Sequence, residues 1–263
     1  MSAMVPYHVH LPVSHKTSTP RTADRSSPAD PIIATFNSWA FKREQPSSLP
    51  LLRAVVEHAM DVRQPIPFAL YWGKGPRDAH TKPETDCLDF LAAMGRRIAA
   101  AYKPGATFHL LLTDTHARLN QHSEASINAY YADIRALAEP RGFCTRRLSD
   151  VVASCRSYGP SAEDLAGAPA MVRQLTESAR KWYRGAGTPA DGAQKYFAMN
   201  MVEKGAVEAA YPNTVFVTFN NSGSRLLFPN GLPIFYMYSV RKGVAVKPWF
   251  MDCAGTELRP SGD

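Results

Sequence analysis

Cysteine is scarce in this chain: four residues among 263, Cys87, Cys144, Cys155 and Cys253, with no Cys-x-x-Cys pair. That excludes a disulfide scaffold, and the four are read as buried thiols. Long hydrophobic runs are also lacking. No stretch approaches the roughly 20 apolar residues of a membrane span, and no apolar segment follows the basic residues near the N-terminus. Neither a membrane helix nor a secretory signal is expected, so the location is read as cytoplasmic. A Gly-x4-Gly-Lys-Ser/Thr phosphate loop, an internal repeat and a nucleic-acid-binding motif are absent too. The net charge of +7 is spread along the chain rather than gathered in a block. A phosphorylated or carboxylate metabolite accounts for it about as well as nucleic acid does, and the missing motif sets nucleic acid aside.

What is present is ordinary for a globular protein, with 45% hydrophobic residues. Residues 1–30 are rich in Ser, Thr, Pro and His and are expected to form a flexible tail, in which His8 and His10 fix no metal geometry. Residues 31–255 are read as a single α/β domain, since no linker divides them, and residues 256–263 as a second flexible tail. Apolar positions at Leu51, Leu52, Val55, Val56 and Met60 predict a helix over 49–62. Pro65-Ile66-Pro67 then leads into a buried strand, Phe68-Ala69-Leu70-Tyr71-Trp72. Leu88, Leu91, Met94, Ile98 and Tyr102 recur at three or four and predict a helix over 84–102, stopped by Pro104-Gly105. A second buried strand is expected over 107–113, and Ser123 is placed to cap a helix carrying Ile127, Tyr130, Ile134 and Leu137 inward. A third strand is expected over 143–148. Residues 161–210 read as two helices separated by Gly185-Ala186-Gly187-Thr188-Pro189. Beyond them, 215–219, 225–228, 232–240 and 244–249 are β-branched or aromatic runs, from which strands and hairpins are expected.

Strands alternating with helices imply a Rossmann-like α/β fold, a mixed sheet flanked by helices, with its chemistry at the strand C-termini. Lys74 and Arg77 follow the first strand in a loop shaped by Gly73, Gly75 and Pro76. Cations there can bind a phosphate or carboxylate, and a lysine of lowered pKa can act as acid, base or Schiff-base former. Asp114 follows the second strand, with His116, Arg118 and Asn120 behind it; a carboxylate at a strand end can orient an amine or accept its proton. Glu84 starts a helix, Asn220 closes a strand, and Lys247-Pro248-Trp249-Phe250 closes another with a cation and two aromatics. No metal site is assigned, because His109, His116 and His122 have no ligand spacing.

Taken in order, these segments resemble the isocyanide (isonitrile) synthase family of pyoverdine and dityrosine biosynthesis. The carriers are Pro65-Ile66-Pro67-Phe68 leading to Lys74-Gly75-Pro76-Arg77, where the family shows Lys-Ser-Pro-Asn, followed by Glu84. Tyr102-x-Pro104-Gly105-Ala106 and Thr113-Asp114, in place of Ser-Asp-Gly, continue the series. Lys247-Pro248-Trp249-Phe250 resembles the family's Thr-Pro-Trp-His. Thr115 stands where the family has glycine, and Asn220 and Phe250 stand where it has histidines, which removes two groups suited to proton transfer or phosphate binding.

The resemblance implies a biosynthetic enzyme of specialised metabolism, such as siderophore or peptide natural-product assembly. Such an enzyme converts the amine of a free amino acid with ribulose 5-phosphate as cosubstrate and needs no resident cofactor. Asp114, Lys74 and Glu84 are then the expected catalytic residues. Arg77, His116, Asn120, Asn220, Lys247 and Trp249 are the expected substrate-binding residues. A homodimer is compatible with the chain. Two other readings stay open: an iron-dependent amino-acid N-oxygenase using His109, His116 or His122, and a metabolite-binding protein without catalysis.

Overall fold

The apolar runs around Phe68 and Leu110 become adjacent parallel strands, β1 over Ile66–Trp72 and β2 over Ala106–Leu112, with Ile66 opposite Ala106 and Trp72 opposite Leu112. The computed structural model describes residues 27–73, 76, 82–155 and 159–237. β3 (Cys144–Arg147) lies beside β2, while β4 (Val215–Thr218) and β5 (Ile234–Tyr236) extend the sheet on the other side of β1. The order is β3-β2-β1-β4-β5 with every strand pair parallel; one antiparallel bridge, Lys42 to Met237, borders β5. Helices cover both faces of this sheet, so its central strands are apolar nearly throughout.

The helices start and stop where local chemistry directs. α1 spans Asp30–Phe36, and α2 spans Leu49–Asp61 behind a Ser48 cap. α3 (Lys82–Ala101) carries the expected three-and-four stripe, and Gly105 after it adopts φ +75°, a conformation that favours glycine. α4 covers Asp114–Leu119, and α5 covers Glu124–Ala138 with the Ser123 side chain accepting from the Ser126 N–H. α6 (Leu148–Ala153) leads to α7 (Ala162–Trp182) and α8 (Pro189–Ala210), which open with reciprocal capping boxes, Ser161 with Asp164 and Thr188 with Asp191.

Side chains alternate across β1. Phe68, Leu70 and Trp72 join a core built with α1, α2, α3 and α5, whereas Ala69 and the packed Tyr71 belong to a second core with α6 and α8. α7 packs outside α8 through Met171, Leu175, Tyr196, Phe197 and Met201. Among the described residues no helix is long and apolar enough to cross a membrane.

Three local expectations change. Residues 225–228, expected as a strand, fall largely in a 3-10 segment, Ser222–Leu227, whose Leu226 carbonyl accepts from Lys204 Nζ at 3.0 Å. β4 and β5 run parallel and therefore cannot form a hairpin; the 3-10 segment serves as the crossover between them. The Cys144 thiol is exposed on edge strand β3, while Cys87 is buried and Cys155 half-buried. The expected strand over 244–249, the second tail, Cys253, and His8 and His10 lie outside the described residues, as does residues 1–26 of the first tail.

Candidate active site

From β1 the chain runs outward to β2 and β3 through α3 and α5 on one face of the sheet. It then returns through α6, α7 and α8 on the other face to β4, which pairs with β1. Strand order reverses between β1 and β4, and in open parallel sheets that reversal leaves a crevice at the carboxyl ends of the strands. Gly73 leaves β1 there, Asp114 follows β2 and Asn220 follows β4. Thr113 ties the first two ends together, its Oγ1 donating to the Trp72 carbonyl at 2.9 Å. Gly73 and Pro76 are buried. Lys74 and Arg77 of the same loop, and Lys247 and Trp249, lie outside the described residues.

Asp114 is fully buried and its carboxylate is occupied. Oδ1 accepts from the Ser149 N–H at 3.0 Å, and Oδ2 accepts from Ser149 Oγ at 2.6 Å and Arg118 Nη1 at 2.8 Å. Burial pushes the carboxyl pKa up, but these bonds from Ser149 and Arg118 outweigh it and hold the group below its ordinary value. The result is a weak base that fastens α4 to α6.

Two further carboxylates stand on opposite sides of the sheet. Glu84, at the start of α3 and fully buried, accepts from the Tyr130 hydroxyl at 3.2 Å, and that hydroxyl also accepts from Trp72 Nε1 at 3.3 Å. Across the sheet, His116 of α4 meets Glu203 of α8, Nε2 to Oε2, at 2.8 Å, and both side chains are buried. The His116 ring lies 5.0 Å from that of Tyr196 and 6.2 Å from that of Tyr71, in both cases edge-on. Tyr196, Asn200 and Glu203 recur at four and three along α8 and so share one stripe of it. Burial, followed by the charge of Glu203, raises the pKa of both phenols, which therefore remain protonated.

The sequence placed His116 near the site, but Tyr71, Tyr196, Asn200 and Glu203 are additions from the structure. A visible signal existed: α8 is apolar on nearly all sides, yet Asn200, Glu203 and Lys204 are buried within it. Lys204 belongs elsewhere, its Nζ bonded to Asp164 of α7 and to the Leu226 carbonyl.

The remaining expected residues are dispersed. Asn120 joins α4 to the loop before α8, donating to the His116 carbonyl at 3.3 Å and accepting from the Arg184 N–H at 3.1 Å. Asn220 lies beyond β4 in a small cleft shared with Met171, Leu175, Ser178, Ser224 and Leu227. The His109 ring packs 5.2 Å from that of Tyr211, and burial lowers the pKa of His109 and of His122. Among the described residues no three His, Cys, Asp or Glu side chains converge as metal ligands, so His109, His116 and His122 do not form such a set.

A five-stranded parallel sheet, helices on both faces and polar groups at its switch point define a Rossmann-like α/β protein. No family model and no curated protein matches the chain. Among solved structures it is similar to the PvcA protein from Pseudomonas aeruginosa, with a TM-score of 0.59 and 16% identity over 85% of this chain and 88% of that one. Tyrosyl-tRNA synthetase from Archaeoglobus fulgidus, solved with L-tyrosine, gives a TM-score of 0.45 and 14% identity over 80% of this chain and 63% of that one. The likeness to PvcA shows a shared fold.

Proposed function

We propose that this protein is a biosynthetic enzyme of specialised metabolism that modifies the amino group of a free amino acid, in the manner of an isonitrile synthase with ribulose 5-phosphate as cosubstrate. The observation that carries this reading is the buried His116–Glu203 pair at the carboxyl ends of the strands, flanked by the rings of Tyr71 and Tyr196. The motif resemblance and the fold shared with PvcA support it.

An amino acid enters as its ammonium form, which is not nucleophilic, so the first requirement is a base out of water. The His116–Glu203 pair can take that proton: the carboxylate orients the imidazole and stabilises it when it becomes cationic. The freed amine nitrogen then adds to the cosubstrate carbonyl carbon, and loss of water leaves an imine. Lys74 and Arg77 are assigned the phosphate. Glu84 supports the opposite wall, and Asp114 holds α4, and with it His116, in place.

The test is incubation of the purified full chain with pooled amino acids, with and without ribulose 5-phosphate, followed by mass spectrometry. One amino acid should be consumed in the presence of the sugar phosphate, and Glu203→Gln or His116→Gln should slow its conversion about 100-fold or more. No mass change in any pool would overturn the reading.

A further inference from the structure

A narrow cleft opens beyond the carboxyl end of β4, between α7 and the 3-10 segment Ser222–Leu227. Met171, Gln174, Leu175 and Ser178 recur along α7 at helical spacing and form one wall, while Asn220, Ser224 and Leu227 form the other. Asn220 is buried, and the Ser178 hydroxyl is buried with no hydrogen-bond partner among the described residues. A helical serine or threonine can satisfy itself on a carbonyl one turn back, as Thr176 of the same helix does on Val172 at 2.8 Å. Ser178 makes no such bond. A buried hydroxyl left unpaired is costly and rare, so this one, on the wall of an open cleft, marks a position that a guest completes.

The lining selects the guest. Its polar groups are two amides and two hydroxyls, and no charged side chain is among them, so an ion would lose its water without meeting an opposite charge. An apolar group would leave Ser178 unpaired. The space admits about one water-sized group and not an aromatic ring. A hydroxyl has that size, and it both donates and accepts, as amides and hydroxyls require of a partner. The position suits a substrate group: Asn220 follows β4 at the edge of the sheet where strand order reverses. Met171, Leu175 and Leu227 also pack in one cluster with Tyr196, whose ring lies 5.0 Å from that of His116, so a single packed layer reaches from the cleft to the proposed base. We infer that this cleft receives a hydroxyl group of the reacting molecules, borne either by the amino-acid side chain or by the sugar phosphate. The inference rests on the amino-acid reading for the identity of those molecules.

Titration calorimetry on the full-length protein would compare pairs that differ by one hydroxyl: tyrosine with phenylalanine, threonine with 2-aminobutyrate, and serine with alanine. Ribulose 5-phosphate forms a separate arm. If the amino acid bears the group, the hydroxylated member of one pair should bind about tenfold tighter than its partner, the worth of one hydrogen bond. Ser178→Ala and Asn220→Leu should each cut that ratio below about threefold and leave the affinity of the deoxy partner unchanged. If the sugar phosphate bears it, the same variants should weaken ribulose 5-phosphate about tenfold instead. Ser178→Ala removes an unpaired polar atom and should keep the Tm of the ligand-free protein, so it stays informative if Asn220→Leu folds poorly. Pairs bound alike, with ribulose 5-phosphate indifferent to both variants, would mean that an ordered water merely fills the cleft and would overturn the inference. So would the absence of any binding. Conversion of an amino acid in the mass-spectrometric assay with no hydroxyl preference would overturn the cleft reading and leave the proposed function standing. Hydroxyl-dependent binding that Ser178→Ala abolishes, with nothing converted, would keep the cleft reading and overturn the function.

Discussion

Asp114 and Glu203 are buried carboxylates put to opposite uses. Both oxygens of Asp114 are filled by Ser149 and Arg118, whereas one oxygen of Glu203 is given to His116 and the other has no partner among the described residues. Asp114→Ala should therefore act on stability, at a cost of about 2–3 kcal/mol in urea unfolding. The figure is kept below that of a fully buried ion pair because the Arg118 side chain is 39% exposed. The folded-state pKa of Asp114 is lowered, so its contribution is complete above the unfolded value of about 3.9 and is lost as pH falls through the folded value. The stability gap between wild type and Asp114→Ala should thus hold steady near neutrality and narrow below about pH 4, as denaturation curves at several pH values would show.

Among the elements, the α7–α8 pair is the part whose sequence defies ordinary helix rules. α8 buries Lys204 against Asp164, which also caps α7 in its capping box with Ser161. Lys204→Met should leave Asp164 as an uncompensated buried charge and cost about 3–5 kcal/mol, whereas Lys204→Met combined with Asp164→Leu should recover much of that loss. Denaturant midpoints of the two variants test this. Glycine to alanine within a helix ordinarily gains up to about 1 kcal/mol. Gly192 in α8 should reverse that sign, because a Cβ there would come 2.5 Å from the Tyr183 ring. Gly192→Ala is expected to lower stability by about 1–3 kcal/mol. Gly167→Ala in α7 would crowd the Cδ2 of Leu226, at 2.7 Å, the far end of a side chain that can turn away, and should cost less.

Across the whole molecule, stability should fall from the centre of the sheet outward. β1 is bonded on both sides by β2 and β4 and packed on both faces, while α7 is the outermost layer and carries Pro169, which cannot donate in its ladder. Native-state amide exchange should be slowest in β1 and β2 and faster in α7 than in α3 or α8, and equal protection of α7 and β1 would contradict this layering. Much of that architecture could be read from the chain. Apolar period placed α2, α3, β1, β2, α5, α7 and α8, helped at two ends by Ser123 and Gly105, which act on backbone groups within a turn or two of themselves; the caps Ser48, Ser161 and Thr188 came from the structure. The same local reading set Glu84, Asp114 and His116 near the strand ends, and they lie there. What the sequence determined was therefore the kind and extent of each element and the edge of the sheet where the polar residues collect. The tertiary structure alone decided that β4 and β5 run parallel, that Asp114 is an anchor, and that Glu203 and Asn200 of α8 meet His116 of α4 beside Tyr71. Those outcomes depend on which faces pack together over long separations, and burial of apolar surface, being non-directional, leaves no mark of that choice in any short stretch of residues.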